Sequence, residues 1–279
     1  MANASAAGTA AFGDLTVNRM GFGAMRITGE GIWGPPPDHD EAIAVLRRAV
    51  DLGVNFIDTA NSYGPNVSEE LIAEALHPYP EDLVVATKAG LQRPGPNRWT
   101  PNGRPEYLIA ECEASLSRLR LEQIPLFQFH RPDPKVPFAE SVGAFVQLQE
   151  QGKIRHIGLS NVSEDEIRQA RELTSIVSVQ NRYNVADRDS ESIVDLCEQV
   201  GMVFLPWAPI REVGDGALGE LAARHGATPH QVVLAWMLRR SPAMLPIPGT
   251  SSVKHLEENI ASVDVALTPD DVATLTRAG

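Results

Sequence analysis

The stretch Gly21-Phe22-Gly23-Ala24-Met25-Arg26 discriminates between two folds that both alternate strands with helices. It overlaps the first β-like run of the chain, after which an open dinucleotide-binding sheet carries the phosphate loop G-x-G-x-x-G. Arg26 stands where that loop has its third glycine, the residue that allows close packing of helix on strand. The sequence therefore disfavours the open sheet.

Short β-like runs alternate with helical patterns along the rest of the chain, which is typical of βαβ units and a parallel sheet. Eight such runs occur, at 19–23, 54–57, 83–87, 124–129, 154–159, 177–180, 202–205 and 243–247. Apolar residues at helical spacing predict helices near 42–50, 67–76, 105–119, 137–151, 163–173, 189–200, 229–239, 252–261 and 269–277. We predict a (β/α)8 TIM barrel with a short N-terminal β-hairpin and extra C-terminal helices.

Length and composition fit one large globular domain. The chain has 279 residues, of which 43% are hydrophobic and 22% charged, and single α/β barrels commonly run to about 250 residues. No composition break marks a boundary, so we assign residues 11–279 to one barrel domain. Residues 1–10 are small and polar, and we expect them to be disordered.

Charge and cysteine content exclude several partners. The net charge of −12 and the absence of a Lys/Arg run argue against nucleic acid. Cys112 and Cys197 have no Cys or His neighbours at zinc spacing, so neither a disulfide framework nor a metal site is expected. No apolar stretch reaches about 18 residues, and the start of the chain lacks a signal-peptide pattern. We expect a cytoplasmic protein with no obligate protein partner.

Polar and aromatic groups follow seven successive predicted strands, at the end where barrels carry their chemistry. They are Asp58, Lys88, His130, Ser160-Asn161, Gln180-Asn181, Trp207 and Pro248-Gly249-Thr250. Taken singly, a carboxylate at a strand end is more often a helix N-cap and a lysine a solvated charge. The coincidence of Asp58, Lys88 and His130 on neighbouring strands, with Tyr63 in the intervening loop, favours a catalytic site.

These four groups suit the reduction of a carbonyl by hydride, which requires a proton for the developing alkoxide. Tyr63 is a good donor if Lys88 pulls its pKa of about 10 toward neutrality, with Asp58 holding the ammonium. Neutral His130 can donate a hydrogen bond to the substrate oxygen. The competing chemistry is a Schiff-base lyase that uses Lys88 as nucleophile; pairing with Asp58 disfavours it.

The same residues resemble the aldo-keto reductases over about Asn18 to Asp264. Asp58-Thr59-Ala60-Asn61-Ser62-Tyr63-Gly64 is similar to that family's D-T-A-x-x-Y-G signature, and Thr87-Lys88, Phe129-His130 and Gly158-Leu159-Ser160-Asn161 follow at the expected intervals. The resemblance implies an NADPH-dependent reductase of aldehydes or ketones with Asp58, Tyr63, Lys88 and His130 as catalytic residues. A non-catalytic nicotinamide-binding regulatory subunit, which some family members are, is the alternative.

The resemblance also implies where the cofactor lies. Ser160, Asn161 and Gln180 would bind the nicotinamide carboxamide, and Trp207 would stack on its ring. Gly249 and His255 stand where many relatives place a Lys and an Arg near the adenosine phosphate, so the usual cations for the 2′-phosphate are absent. Thr250, Ser251, Lys254 and the start of the following helix can still bind that phosphate, and we expect NADPH rather than NADH. The full implied cofactor set is Gly23, Asp58, Ser160, Asn161, Gln180, Trp207, Ala208, Pro209, Ile210, Arg211, Pro248, Gly249, Thr250, Ser251, Lys254, Glu258 and Asn259.

The loops around Trp33, Tyr63 and Tyr79 look most like the bacterial branch that includes pyridoxal reductases. This likeness implies pyridoxal or another aromatic aldehyde as a small-molecule substrate. The candidate substrate residues are Trp33, Tyr63, Trp99, His130 and Arg131. Arg131 is interpreted either as a contact for a substrate phosphate or hydroxyl or as a surface charge.

Overall fold

The chain begins with a structured segment that packs on the barrel. The computed structural model describes residues 2–209 and 216–278. A 3-10 helix, Ala4–Ala7, precedes an antiparallel hairpin of β1 (Thr9–Phe12) and β2 (Leu15–Asn18), as predicted for the hairpin. Ala4 is fully buried and its amide donates to Leu52 O at 2.8 Å. The predicted disorder of residues 1–10 is therefore wrong for residues 2–10, because small side chains fit closely against the end of the first helix.

Seven parallel strands form one continuous sheet. Its members run in the order of the chain, each hydrogen-bonded to the next: β3 (Phe22–Gly23), β4 (Phe56–Asp58), β5 (Val84–Ala89), β8 (Ile124–Phe129), β9 (Ile154–Ser160), β10 (Ile176–Gln180) and β11 (Val203–Phe204). The intervening strands β6 (Leu91–Gly95) and β7 (Arg98–Pro101) make a separate antiparallel hairpin above β5 that the sequence did not predict. Parallel order without a reversal is the arrangement of a barrel, and the fold is (β/α)8.

The predicted eighth strand, 243–247, closes the barrel without forming a regular strand. On one side, Phe204 N donates to Ala243 O at 2.8 Å and Leu245 N to Phe204 O at 2.9 Å. On the other, Gly21 N donates to Pro246 O at 3.0 Å and Gly23 N to Pro248 O at 3.4 Å. The two prolines accept hydrogen bonds but have no amide hydrogen to donate, which prevents a complete ladder.

Helices surround the sheet. They are α1 (His39–Asp51), α2 (Val67–Leu76), α3 (Pro105–Leu119), α4 (Phe138–Glu150), α5 (Glu164–Leu173), α6 (Glu191–Val200), α7 (Ala217–His225), α8 (Pro229–Arg240), α9 (Val253–Ile260) and α10 (Pro269–Ala278). Capping boxes at Ser163 and Thr228 start α5 and α8. The sequence prediction missed α7, in which Leu218, Leu221 and Ala222 are buried at helical spacing around an unfavourable glycine. No helix within 2–209 and 216–278 has the length and apolarity to span a bilayer.

The lower part of the barrel interior is apolar and its upper part is polar. Phe12 of the hairpin stacks on Phe56 with ring centroids 4.9 Å apart and closes the floor, where Leu126, Leu205 and Leu245 belong to the same buried cluster. Side chains alternate along a strand, so the next inward residue above the floor is Asp58 on β4, Lys88 on β5, Gln128 on β8 and Gln180 on β10. The fold thereby places polar groups above an apolar floor.

Candidate active site

A buried ion pair joins the ends of two neighbouring strands. Asp58 ends β4 and Lys88 lies near the end of β5, and Lys88 Nζ is 2.7 Å from Asp58 Oδ2. The Lys88 side chain is 0% exposed and the Asp58 side chain 3%. The other two protons of the ammonium point to Thr59 O at 2.8 Å and Tyr63 Oη at 3.3 Å. All three donors of Lys88 therefore have acceptors, which fixes its position.

Two buried glutamines complete the coordination of the carboxylate. Asp58 Oδ1 accepts from Gln128 Nε2 at 2.9 Å and from Gln180 Nε2 at 2.8 Å. Gln180 was assigned by resemblance to the cofactor site, and the structure places its amide on Asp58. The sequence analysis missed Gln128, although a polar residue two positions before His130, on the inward face of an otherwise apolar strand, was the available signal. Both oxygens of Asp58 therefore accept from buried donors, which fixes the orientation of the carboxylate.

The turn that follows β4 brings Tyr63 over the ion pair. Tyr63 N donates to Ala60 O at 3.1 Å, and its own carbonyl accepts from Ser68 N at the start of α2. Gly64 has φ +104°, and a Cβ there would lie 2.4 Å from Val67 Cβ. Glycine is thus required immediately after the tyrosine.

Burial raises the pKa of Tyr63, and the nearby Lys88 ammonium lowers it only in part. The expectation that the tyrosine pKa would be pulled toward neutrality is therefore wrong for this structure. Burial would also lower the pKa of Lys88, but the Asp58 carboxylate and the hydrogen bonds to Asp58 and Tyr63 outweigh it, so the net shift is upward. Both groups keep their protons at neutral pH.

His130 lies beside Tyr63 and is neutral. Its pKa is lowered well below the ordinary value by burial and by the positive charges of Lys88, Arg131 and Arg93. Ser62 Oγ lies 3.4 Å from Nδ1; in the tautomer with the ring proton on Nε2, this hydroxyl is the donor of that contact. The His130 and Tyr63 rings meet edge to face with centroids 5.9 Å apart. Two neutral donors, a phenol and an imidazole, therefore face the same space.

Arg93 on β6 holds the loops around this space together. Its guanidinium donates to four backbone carbonyls at 2.8–2.9 Å, those of Gly31, Ile32, Ser62 and Arg98, and stacks on the Trp99 ring at 3.7 Å. Trp99 in turn contacts Tyr63 edge to face, with centroids 6.3 Å apart. Sequence analysis did not identify Arg93, since most of its partners are backbone atoms of loops distant in sequence.

The residues assigned to the nicotinamide meet at the rim of the barrel. Asn161 has the left-handed φ of 57°, and its Nδ2 donates to His130 O at 3.0 Å and Ser160 Oγ at 2.9 Å. Asn161 Oδ1 accepts from Trp207 Nε1 at 3.1 Å. The half-buried Trp207 indole is thus fixed at the rim beside His130. This combination of an indole face with amide and hydroxyl groups fits a flat carboxamide-bearing ring.

The closing segment brings two glycines into contact. A Cβ on Gly23 would lie 2.6 Å from Ile247 O, and a Cβ on Gly249 2.5 Å from Gly23 O. A lysine at position 249 would require this contact to open. Thr250 is buried, and its Oγ1 accepts from Ser252 N at 3.1 Å.

The start of α9 already carries a carboxylate. Val253 N donates to Glu41 Oε1 at 2.9 Å, and the structure thus places an α1 residue that the sequence analysis missed at the proposed phosphate end. Lys254 is 80% exposed and lies 3.9 Å from Glu258 Oε1. Hydroxyls, a helix N-terminus and a lysine suit an anion.

Four of the other assigned cofactor residues lie close in sequence to Trp207 or to Gly249 and α9, and two lie outside the described residues. Asn259 is buried on α9, Pro248 is buried and Pro209 is buried after β11, while the carbonyl of Ala208 accepts from Asn184 Nδ2 at 3.2 Å. Ile210 and Arg211 lie outside the described residues. Ser251 is exposed at the turn before α9.

The candidate substrate residues lie around Tyr63 and His130. Trp33 is 37% exposed, and Arg93 lies over its ring at 5.8 Å. Arg131 is exposed, and its Nη2 donates to Asn161 Oδ1 at 3.2 Å. Together with Trp99 they form the mouth above Tyr63 and His130. Within the described ranges, no three His, Cys, Asp or Glu residues form a cluster that could hold a metal ion.

Comparisons with known proteins agree with this geometry. The model of the aldo/keto reductase family matches residues 19–214 and 212–279. An uncharacterized oxidoreductase of Schizosaccharomyces pombe is 47% identical over 99% of this chain and 92% of its own. The pyridoxine 4-dehydrogenase of Escherichia coli is 41% identical over 96% of both. The crystal structure of an aldo/keto reductase from Klebsiella pneumoniae in complex with NADP and acetate has a TM-score of 0.81 and 27% identity, and covers 96% of this chain and 94% of its own.

Proposed function

This chain belongs to the aldo/keto reductase family, and we propose that it reduces aldehydes or ketones to alcohols with NADPH, using Tyr63 as the proton donor. One observation carries the proposal. Lys88 Nζ reaches both Asp58 Oδ2 and Tyr63 Oη in a buried site that His130 shares. An acid held next to a fixed ammonium, above an apolar floor, is the arrangement that a developing alkoxide requires.

The cofactor proposal starts from the rim. When bound, NADPH supplies a hydride to the carbonyl carbon. Ser160, Asn161 and Trp207 would hold its nicotinamide end, and the indole fixed by Asn161 is the group that supports this assignment. Thr250, Ser251 and Lys254 at the start of α9 would hold the phosphate end, with Asn259 further along the same helix. The bound NADP of the Klebsiella pneumoniae relative supports the choice of cofactor.

Tyr63 delivers the proton in this proposal. Its raised pKa keeps the phenol protonated until a stronger base, the alkoxide oxygen, forms beside it. Lys88 then stabilises the resulting phenolate, and Asp58 keeps Lys88 charged and oriented. Gln128 and Gln180 prevent Asp58 from turning away, because each donates to the oxygen that Lys88 does not use.

His130 orients the carbonyl. A neutral imidazole with its proton on Nε2 can donate to the substrate oxygen without competing as an acid, and its lowered pKa maintains that state. The Trp99 ring packs edge to face on both His130 and Tyr63. An aromatic substrate packed beside these rings would therefore present its carbonyl to both donors.

We propose pyridoxal or a related aromatic aldehyde as the substrate. The support is the aromatic mouth and the 41% identity to the E. coli pyridoxine 4-dehydrogenase, whose name indicates chemistry on such a ring. We place the enzyme in the cytoplasm, acting without an obligate protein partner. Two other functions are less well supported: Lys88 is held protonated, which opposes Schiff-base formation, and a regulatory subunit does not need the complete donor set.

The test is a spectrophotometric assay of NADPH or NADH oxidation with pyridoxal, benzaldehyde and small aliphatic aldehydes. We expect turnover of an aromatic aldehyde with NADPH. Tight NADPH binding, seen by fluorescence titration, without turnover of any carbonyl would instead indicate the regulatory subunit. Trapping of Lys88 by borohydride in the presence of substrate would indicate the lyase.

A further inference from the structure

Arg131 presents a cation at the mouth of the active site. It follows His130 directly, and its guanidinium is anchored at one point, by the hydrogen bond from Nη2 to Asn161 Oδ1 at 3.2 Å. The residue is exposed, and among residues 2–209 and 216–278 it forms this hydrogen bond and no ion pair with a carboxylate. The remaining donors therefore face solvent beside the reacting groups.

The charges around this point are positive although the whole chain is acidic, with a net charge of −12. Lys88, Arg93 and Arg131 all act on His130, and the Asp58 carboxylate is neutralised by its pairing with Lys88. Asp133, two residues beyond Arg131, accepts instead from Gly103 N at 3.1 Å and Lys135 N at 3.0 Å. The mouth is thus a local region of positive charge in a molecule that otherwise repels anions.

Arg93 and Arg131 differ in what they can offer a ligand. The Arg93 donors are directed to backbone carbonyls, so Arg93 contributes charge and an aromatic contact but no free hydrogen bond. Arg131 has the fork of N–H groups that pairs with two oxygens of one anion. Its anchor, Asn161, also bonds to Trp207 and to the His130 carbonyl, which links the guanidinium to the catalytic histidine.

We propose that Arg131 determines substrate choice by pairing with an anionic oxygen group, a carboxylate or a phosphate monoester, on the carbonyl substrate. This inference rests on the proposed reductase function. A substrate whose anionic group is bound by Arg131 would have its carbonyl within the aromatic mouth, facing Tyr63 and His130. Electrostatic attraction by Arg93 and Arg131 would add to the recognition at low ionic strength.

The experiment compares two para-substituted benzaldehydes that differ in charge, 4-carboxybenzaldehyde and its neutral methyl ester, methyl 4-formylbenzoate, and follows the effect of one substitution on each. In the unmodified enzyme we expect kcat/KM to be higher for the carboxylate. In Arg131→Gln, kcat/KM for the carboxylate should fall roughly tenfold, the effect of losing a hydrogen bond to a charged group, through KM. The ester should change less than about twofold, and kcat for both should be retained because Arg131 does not touch the reacting atoms.

The control variant is Arg239→Gln, which removes an exposed cation from the last turn of α8, at the opposite end of the barrel. It should leave the carboxylate-to-ester ratio unchanged. Pyridoxal and pyridoxal 5′-phosphate form a second pair. If Arg131→Gln removes only the preference for the phosphate, the natural group is a phosphate monoester; if it removes only the preference for the benzoate, the natural group is a carboxylate. Turnover of all four aldehydes with equal effects of Arg131→Gln would overturn this inference and leave the reductase function standing. No turnover of any would overturn both.

Discussion

Replacement of Asp58 by Asn should destabilise the protein, because it leaves the Lys88 ammonium buried without a counter-charge. The pair is 2.7 Å apart with side-chain exposures of 3% and 0%, so water cannot replace the lost carboxylate. The new amide would also set a donor against the ammonium or against the two glutamines. Removal of one partner from a buried pair is worth about 3–5 kcal/mol.

The corresponding change in melting temperature follows from chain length. With an unfolding entropy of about 2.1 cal/mol/K per residue, 279 residues give about 0.6 kcal/mol/K, so Tm should fall by about 5–8 °C. Differential scanning calorimetry measures this shift, and urea unfolding at 25 °C measures the free energy. Because the ammonium loses the group that outweighs its burial, the pKa of Lys88 should also fall.

The double variant Asp58→Asn with Lys88→Met separates loss of the counter-charge from general disruption. It removes the uncompensated charge, so it should recover much of the stability lost in the single variant, although neither form should retain appreciable activity. A single variant as stable as the parent protein, or a double variant destabilised by the sum of the two single changes, would refute the reasoning.

Three further predictions concern other parts of the site. Between the lowered pKa of His130 and about 6.5, this histidine is protonated in the unfolded chain and neutral in the folded one, so the free energy of unfolding should fall below pH 6.5 by up to about 1.4 kcal/mol per pH unit. His130→Gln should flatten this part of the pH profile measured by urea unfolding, and an identical profile in the variant would contradict the neutral histidine. Arg93→Lys keeps the charge but not the fork that joins the loops, and should raise KM for aromatic aldehydes about tenfold with an unchanged Kd for NADPH by fluorescence titration; an unchanged KM would mean that the loops are held by other contacts. Glu41→Gln removes a negative charge from the start of α9 and should tighten NADPH about fivefold more than NADH, whereas Lys254→Ala should weaken NADPH more than NADH; parallel changes for both nucleotides would place the 2′-phosphate elsewhere.

Much of the framework was accessible from sequence because it depends on short-range patterns. The apolar spacing in α2 and α3 predicted both helices with the bounds that the structure has, 67–76 and 105–119. The polar residues at the ends of β4, β5 and β8 were assigned to one rim from the geometry of parallel strands alone, and the structure brings Asp58, Lys88 and His130 together there.

The parts that could not be predicted depend on contacts between distant segments. Burial of Ala4 is decided by the end of α1, which gives no sign in the first ten residues. The pKa of Tyr63 is raised because the effect of burial exceeds that of Lys88, and the relative size of these two effects depends on the packed site. Arg93 and Glu41 act on backbone groups more than 30 and 200 residues away, respectively, and such partners leave no local pattern.

The most direct test of the central claim is Tyr63→Phe, which removes the phenolic hydroxyl and retains the ring that packs on Trp99 and His130. The measurement is the rate of NADPH oxidation with a saturating aromatic aldehyde, together with the Kd for NADPH by fluorescence titration. We predict that kcat falls by about 10²–10⁴-fold, the contribution of a positioned general acid, while Kd stays within about twofold. A variant that keeps most of its kcat would show that the proton comes from another group and would contradict the account.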